Sequence, residues 1–130
     1  MKVTKTDQQW QSVLSKEQYR ITRQKGTERP FIGKYTLFEG DGVYCCVCCE
    51  NTLFDSSTKF NAGCGWPSFW DVAEDGSLIY KEDLSLNMKR MEVICACCDA
   101  HLGHVFNDGP KPTGLRYCIN SVALNFLPRD

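Results

Sequence analysis

The sequence predicts a single domain over residues 1–130, built mainly from β-strands, with short helices at the N-terminal end and a four-cysteine metal knuckle. Three observations carry this prediction. Residues 78–83, 91–95 and 114–127 are rich in the apolar and β-branched residues that suit strands, and turn sequences separate them. Two helix-capping signals precede Gly26. Cysteines recur in C-x-x-C pairs. At 130 residues the chain is long enough to bury one core.

Two short helices are predicted before the first strand. Each begins with a serine or threonine followed three residues later by glutamine, the pattern of a capping box. The first runs from Thr6 to Leu14, and the second starts at Ser15 and ends at Gly26 in the position that glycine commonly takes after a helix. One face of the first helix carries Trp10, Val13 and Leu14.

The segment 27–31 ends the helical region. Pro30 disfavours helical geometry at the residue before it, so this segment is predicted to be extended. We expect it to pack across the domain with Phe31 as its apolar anchor.

The nine cysteines indicate metal or redox chemistry, because no apolar signal-peptide core follows Met1 and a disulfide framework is therefore not expected. Two-residue spacing lets both thiolates of a pair reach one ion, and two such pairs complete a closed site of the structural zinc type. Residues 95–98 contain one pair, Cys95 with Cys98. At the first knuckle the spacing leaves two alternatives open. They are Cys45 with Cys48 and Cys46 with Cys49.

The charge of the chain argues against a nucleic-acid or membrane partner. The formal net charge is −1, and residues 43–100 carry four basic and nine acidic side chains, a net of 4 − 9 = −5. A zinc ribbon that binds nucleic acid needs the opposite sign. No apolar run approaches membrane-spanning length, and we expect a cytoplasmic protein.

The last strand contains the first candidate for chemistry. Cys118 lies between Arg116 and Asn120, and a guanidinium can stabilise the thiolate form that attacks electrophiles. Apolar residues on both faces indicate a central strand. An inert buried cysteine is the competing interpretation.

A second cysteine lies in a flexible loop. Cys64 is flanked by glycines and is followed by Trp66, whose backbone is stiffened by the next residue, a proline. Such a tryptophan can line a pocket or belong to the core.

The only two histidines of the chain are three residues apart. In a regular strand His101 and His104 would face opposite sides, and Gly103 could supply the bulge that brings both to one side. Turn residues then lead back to the strand of Cys118. We therefore expect both histidines and Cys118 on neighbouring strands.

Three sequence blocks resemble those of methionine-R-sulfoxide reductases of the B class. They are K-F-x-x-G-C-G-W-P-S-F over residues 59–69, H-L-G-H-V-F over 101–106 and G-L-R-Y-C-I-N-S over 114–121. The resemblance begins near Trp10 and ends near Phe126. It implies antiparallel β-sheets with short helices outside them. It also implies an oxidoreductase of oxidative damage repair, which reduces the R epimer of methionine sulfoxide, free or in proteins.

The resemblance implies a role for each matching residue. Cys118 is the expected nucleophile, and Cys64 is the expected resolving cysteine, which forms a disulfide that thioredoxin reduces. His104, helped by His101, is the expected proton source. The remaining expected site residues are Trp66 as the ring that binds the S-methyl group, Phe106 closing the pocket, Arg116 holding the thiolate, Asn120 orienting the site, and Asp108 positioning the histidine network.

The resemblance also selects the register of the first knuckle. In the family, the second cysteine of that knuckle stands four residues before a leucine-aromatic pair, here Leu53-Phe54. Glu50 departs from the glycine that often follows this cysteine. The implied ligands of one structural zinc ion are Cys46, Cys49, Cys95 and Cys98. The extra cysteines, which could compete as resolving thiols, are Cys45, Cys48 and Cys97.

Two other functions remain as alternatives. A non-catalytic zinc-bound β-domain that binds proteins could share the fold, but it has no need of Cys64, Cys118 and the histidines. A thioredoxin-like oxidoreductase fits less well, because neither knuckle lies in a βαβ unit. We expect a monomer.

Overall fold

The computed structural model describes residues 2–129, which form two antiparallel sheets with two short α-helices at the N-terminal end. The helices are α1 (Asp7–Val13) and α2 (Lys16–Thr22). The strands are β1 (Gly42–Cys46), β2 (Thr52–Asp55), β3 (Lys59–Phe60), β4 (Ser68–Phe69), β5 (Leu78–Asp83), β6 (Arg90–Cys95), β7 (His101–Phe106), β8 (Arg116–Ile119) and β9 (Leu124–Pro128). The predicted mainly β fold is confirmed. The predicted single domain also includes Met1 and Asp130, which lie outside the described residues.

The helices begin where the sequence predicts and end earlier. Thr6 and Ser15 are the N-caps of α1 and α2, and both capping boxes form in full. The prediction that α2 ends at Gly26 is wrong, because the helix ends at Thr22 and is capped at Arg23. Val13 is 62% exposed, so it does not share the buried face of Trp10. A helix of seven residues has room for only a narrow apolar face.

Sheet order puts the Cys118 strand in the interior of the larger sheet. The six-stranded sheet has the order β3-β4-β8-β7-β6-β5, and the three-stranded sheet has the order β2-β1-β9. β8 therefore has a partner on each side, as the sequence predicts. Within residues 2–129, no helix is long and apolar enough to cross a membrane.

The continuous strand predicted for residues 114–127 is wrong. β8 ends at Ile119, a 3₁₀ turn follows over Ser121–Ala123, and β9 pairs with β1 in the other sheet. The amide of Val122 donates to the carboxylate of Glu28 over 3.0 Å, so it is withdrawn from any strand ladder. Alternating apolar residues suit both sheets equally, and the sequence pattern therefore does not reveal where the chain changes sheet.

Aromatic side chains fill the core. Phe54 and Phe69 stack with ring centroids 4.3 Å apart, and Tyr44 contacts Phe69 edge to face at 5.1 Å. These contacts pack the short strand β4 against the smaller sheet, which matters because the loop before β4 carries Cys64.

Phe31 does not anchor the segment 27–31. Its side chain is 67% exposed and its φ angle is +70°, a strained value for an aromatic residue. The segment is held instead by polar contacts of Glu28. The amide of Glu28 donates to Asn120 Oδ1 over 3.0 Å, and its carbonyl accepts from the Trp66 indole over 3.0 Å.

Candidate active site and metal centre

Two cysteines distant in sequence meet at the end of β4. The pairing of β4 with β8 sets Ser68 opposite Cys118, and the loop before β4 returns across this pair. The Sγ atoms of Cys64 and Cys118 lie 2.9 Å apart, and Ser68 Oγ lies 3.3 Å from Cys64 Sγ. Both cysteines are partly exposed. The two thiols can therefore exchange a proton and are close enough to be joined by a disulfide after modest movement.

Arg116 directs its guanidinium at the nucleophile candidate. Its Nη1 donates to Cys118 Sγ over 3.0 Å. Asp108 fixes the same group by accepting from Nε over 2.8 Å and from Nη2 over 3.2 Å. The guanidinium also lies 4.3 Å from the ring centroid of Phe106. These contacts hold a positive charge against the sulfur in one orientation.

The pKa values of the two thiols are shifted in opposite directions. Burial raises the pKa of Cys118 to about 12, the Cys64 thiol adds to the increase, and Arg116 opposes it. Burial acts in the same direction on Cys64, but hydrogen bonds to Cys118 and Ser68 outweigh it, and the pKa of Cys64 is lowered. These opposite shifts make Cys64 the more acidic thiol of the contacting pair. Separation from Cys64 lowers the pKa of Cys118 and leaves Arg116 as its main charged neighbour.

His101 and His104 lie on β7, next to the Cys118 strand, as predicted. His104 is directly opposite Cys118 in the β7–β8 register. A bulge falls at Leu102, one residue before the predicted Gly103, and the two imidazole centroids are 5.6 Å apart. Gly103 is needed for another reason, because a Cβ there would lie 2.0 Å from the Cys118 carbonyl oxygen.

Each histidine has a carboxylate partner that the sequence analysis did not assign. The expectation that Asp108 positions the histidines is wrong, because Asp108 bonds Arg116 instead. His104 Nε2 lies 2.7 Å from Asp83 Oδ2, and His101 Nδ1 lies 2.7 Å from Glu92 Oε2. The hydrogen bond with His104 lowers the pKa of Asp83. Burial lowers the pKa of His101, although Glu92 acts to raise it. Both carboxylates belong to strands with no recognisable motif, so only their strand pairing identifies them.

A cavity of about 290 Å³ opens over the two thiols. It is large enough for one side chain of methionine size. Its walls combine an indole and a phenyl ring with polar groups, as a site for a polar sulfur compound requires. The lining residues are Thr27, Cys64, Trp66, Arg90, Gly103, His104, Phe106, Arg116, Cys118 and Asn120. Sequence analysis assigns no role to Thr27 or Arg90, and no motif marks either residue. His101 lies behind this wall.

Asn120 connects the cavity to the fold. Its Nδ2 donates to the Leu102 carbonyl over 3.0 Å, and its Oδ1 accepts from the Glu28 amide. Both the oxygen and the nitrogen of the Asn120 side chain therefore bond to backbone groups. Asn120 connects β7 and the segment 27–31 to the end of β8.

Four sulfurs from two distant knuckles form a second centre. The ligand atoms of Cys46, Cys49, Cys95 and Cys98 all lie within 4.8 Å of one another and could hold a metal ion. The Sγ atoms of Cys46 and Cys98 are 3.6 Å apart, as are those of Cys49 and Cys95. This is the register that the family resemblance selects.

The two knuckles have the same backbone geometry. Glu50 and Asp99 each follow the second cysteine of a knuckle with φ values of +64° and +65°. Their amides donate over 2.8 Å to the carbonyls of Cys46 and Cys95. Glycine adopts this conformation without strain, which explains why Glu50 is an unfavourable replacement for it.

The extra cysteines lie in or beside the metal centre. Cys45 is buried in β1. Cys48 contacts the thiols of Cys46 and Cys98, and Cys97 contacts that of Cys49. The thiol that contacts Cys118 Sγ, at 2.9 Å, is instead that of Cys64.

Comparison with known proteins gives a consistent result. The SelR domain matches residues 14–128. Three similar relatives are each named peptide methionine sulfoxide reductase MsrB. They are those of Pseudomonas syringae pv. syringae strain B728a (59% identical over 129 residues, 99% of this chain and 98% of the relative), Pseudomonas putida strain W619 (60% over 129 residues, 99% and 97%) and Pseudomonas fluorescens strain Pf-5 (59% over 128 residues, 98% and 98%).

Proposed function

The chain belongs to the SelR-domain family of peptide methionine sulfoxide reductases MsrB, and from this premise we propose that it reduces the R epimer of methionine sulfoxide with Cys118 as nucleophile. One observation carries the proposal. A partly exposed thiol receives a hydrogen bond from a fixed guanidinium at 3.0 Å and lies 2.9 Å from a second thiol, inside a cavity that also contains an indole ring and an imidazole. This arrangement supplies both a nucleophile and a partner to resolve its oxidised form.

In the first step the Cys118 thiolate attacks the sulfoxide sulfur. The oxygen takes up one proton as its bond to the substrate sulfur breaks, and it ends on Cys118 as a sulfenic acid. The substrate sulfur gains two electrons and leaves as methionine, while the Cys118 sulfur loses two. His104 lies opposite Cys118 in the sheet and lines the cavity, which supports it as the proton donor.

In the second step Cys64 resolves the sulfenic acid. Its thiolate attacks the Cys118 sulfur, a disulfide forms, and the oxygen leaves as water after protonation. The lowered pKa of Cys64 and its short distance from Cys118 support this role. Thioredoxin then reduces the disulfide by thiol exchange, with two electrons passing from its dithiol.

The remaining site residues bind and orient the substrate. The indole of Trp66 receives the S-methyl group, since sulfur–aromatic contacts contribute about 0.3–1.5 kcal/mol. Phe106 covers the cavity and stacks on Arg116, which Asp108 holds in place. Asn120 keeps the segment 27–31 against the cavity.

The four-sulfur centre holds one structural zinc ion. Zinc bound to four thiolates at about 2.3 Å has sulfurs about 3.8 Å apart, close to the 3.6 Å of the two measured pairs. The donor set is purely thiolate and leaves no open position, so the ion links β1 and β6 and takes no part in the reaction.

The wider biological setting is part of the same proposal. Residues 1–130 form one domain that acts as a monomer in the cytoplasm, and its substrate is methionine-R-sulfoxide in damaged proteins or free. Reduction restores the flexible apolar side chain that oxidation had made polar.

The deciding experiment uses separated R and S epimers of a blocked methionine sulfoxide, with dithiothreitol as electron donor. The wild-type protein and Cys118→Ser are compared, with circular dichroism and metal content as controls for folding. We expect turnover of the R epimer alone and its loss in the variant. No turnover of either epimer by folded, zinc-loaded protein would favour a non-catalytic zinc domain that binds proteins.

A further inference from the structure

A short series of charged groups leads from the protein surface to the histidines. The Nζ of Lys25 lies 3.1 Å from Glu92 Oε1, and the other oxygen of Glu92 lies 2.7 Å from His101 Nδ1. The next imidazole, that of His104, lines the active-site cavity. Lys25 is 53% exposed, whereas Glu92 and His101 are buried. The series therefore connects solvent to the active site through the interior of the sheet.

Burial of Glu92 requires a reason. The residue is only 2% exposed, and a carboxylate removed from water is costly unless charged or polar partners surround it. It points from β6 towards His101 on β7, where an apolar side chain would fill the space without that cost. The imidazole is equally unusual. Among the described residues, its Nε2 is buried and has no hydrogen-bond partner, although Nδ1 is engaged.

A second cavity meets this series from the side of α2. Its volume is about 350 Å³, and the groups that line it include Lys25, Glu92 and His101. The other charged groups that face His101 from neighbouring elements are Arg23 after α2, Lys81 on β5, Asp99 before β7 and the ring of His104. His101 thus borders this cavity, while His104 borders the active-site cavity, and 5.6 Å separates their ring centroids.

We propose that Lys25, Glu92 and His101 form a proton path that resupplies His104 from the α2 side while substrate fills the active-site cavity. This inference rests on the proposed function. Formation of the sulfenic acid consumes one proton from the acid, and loss of water in the second step consumes another, so a protein with a single acid must be reprotonated within each cycle. A bound substrate blocks the direct access of water to His104.

The imidazole of His101 can pass a proton without turning over. In its Nε2–H tautomer, neutral His101 accepts a proton at Nδ1 from Glu92 and releases the Nε2 proton towards His104, directly or through one water molecule, and exchange between its two neutral tautomers restores the starting form. Glu92 takes its proton in turn from water in the second cavity. Lys25 stabilises the ionised carboxylate between transfers. Glu92 is in this sense a positioning residue, because it acts through the histidines and does not touch the substrate.

The test is a single-turnover measurement with pre-reduced enzyme, in which formation of the Cys64–Cys118 disulfide, the step that consumes the second proton, is followed from about pH 6 to about pH 9. We expect Glu92→Gln to be slower than wild type by about tenfold or more at the alkaline end, where solvent protons are scarce, and by less at the acid end. The solvent deuterium isotope effect should increase. Lys25→Met should change the profile in the same direction by a smaller factor. Glu82→Gln, an exposed glutamate on β5 paired with Lys89, is the matched control and should retain the wild-type profile.

A rescue experiment separates proton transfer from a structural role. Glu92→Ala leaves space for a small carboxylic acid, and added formate should restore part of the single-turnover rate. A wild-type rate and pH profile in Glu92→Gln would overturn the path. An equal loss at every pH, with no rescue by formate and a lower Tm, would show a purely structural ion pair and would overturn it as well. Inactivity of the wild-type protein in the same assay would instead reject the proposed function.

Discussion

The Sγ atoms of Cys64 and Cys118 lie 2.9 Å apart although 54 residues separate them in the chain. Strand pairing creates this contact, because β4 is held beside β8 by hydrogen bonds, and the stacking of Phe54 on Phe69 packs β4 against the smaller sheet. Burial raises the pKa of Cys118, and the same contact adds to the increase. Under the proposed function, this distance favours resolution of an oxidised Cys118 by Cys64, and Cys118 is expected to become more acidic when the two sulfurs separate.

Removal of Cys64 should make Cys118 more acidic. The Cys64 thiol raises the pKa of Cys118, so Cys64→Ser should shift the ionisation of Cys118 to lower pH, with Arg116 still opposing the effect of burial. The pH dependence of iodoacetamide alkylation of Cys118, read by mass spectrometry of its peptide, measures this shift. An unchanged or higher midpoint would show that Cys64 does not control the proton.

The same variant should separate the two chemical steps. Cys64→Ser should still form about one methionine per enzyme in a single turnover, because the first step needs only Cys118. Cycling with thioredoxin should be lost, because no disulfide forms within the chain. Cys45→Ser, a buried cysteine in β1, is the control and should cycle normally. Full cycling of the Cys64 variant would assign resolution to Cys45, Cys48 or Cys97.

Trp66→Ala should weaken substrate capture more than it weakens the fold. Loss of the ring removes a sulfur–aromatic contact worth about 0.3–1.5 kcal/mol, so KM should rise between about twofold and about tenfold. The indole also donates to the Glu28 carbonyl. Trp66→Phe keeps a ring and removes only that hydrogen bond, and it should lie between wild type and the alanine variant. A collapsed thermal melt of Trp66→Ala would mark the residue as core.

Loss of the metal should destabilise the fold where the two knuckles meet, because the ion is expected to have a structural role and no catalytic one. Native protein should contain one zinc per chain, and Cys49→Ser should lower both the zinc content and the Tm, because four-thiolate sites contribute directly to folding. Cys45→Ser should keep the metal. Zinc content by mass spectrometry and thermal melts check both expectations. Native protein purified without zinc would reject the ligand assignment.

Asp83→Asn should destabilise the protein at neutral pH and much less in acid. The folded-state pKa of Asp83 is lowered, chiefly by His104, so its stabilisation is present above the unfolded pKa of about 4 and is lost as the pH falls below it. The variant also removes the carboxylate that pairs with Arg90 at 3.4 Å. We expect Tm to fall by about 5 °C at pH 7, with a smaller difference near pH 3. Glu82→Gln is the control, and an equal difference at both pH values would contradict the expectation.

Local signals predicted local structure well. The capping boxes at Thr6 and Ser15 form as expected, because each involves atoms only three residues apart. The strand over Leu78–Asp83 has the bounds that the sequence suggests. The prediction that Phe31 is a buried anchor is wrong, because burial depends on which groups face a side chain and the sequence does not show them. The backbone amide of Phe31 bonds to the Gly65 carbonyl, and its ring stays exposed.

Site residues that belong to no sequence motif could be identified only from the fold. Glu92 and Asp83 are ordinary acidic residues in strand-like sequence, and Arg90 begins β6 with no distinguishing spacing. Only the registers of β5, β6 and β7 bring the two carboxylates within 2.7 Å of an imidazole. Strand pairing joins residues far apart in the chain, and a single sequence contains no measure of that distance.

The sequence by itself determined the family, the candidate nucleophile, and the two knuckles, because each depends on residue types at short fixed spacings. The family resemblance implied that Cys64 pairs with Cys118, but no spacing within the chain placed the two together, and nothing in the sequence indicated a carboxylate behind each histidine. The sequence also did not show that the chain leaves the larger sheet at Ile119 to form β9 in the other. The tertiary structure decided these points, since hydrogen-bonded registers and aromatic packing set which distant atoms share one site.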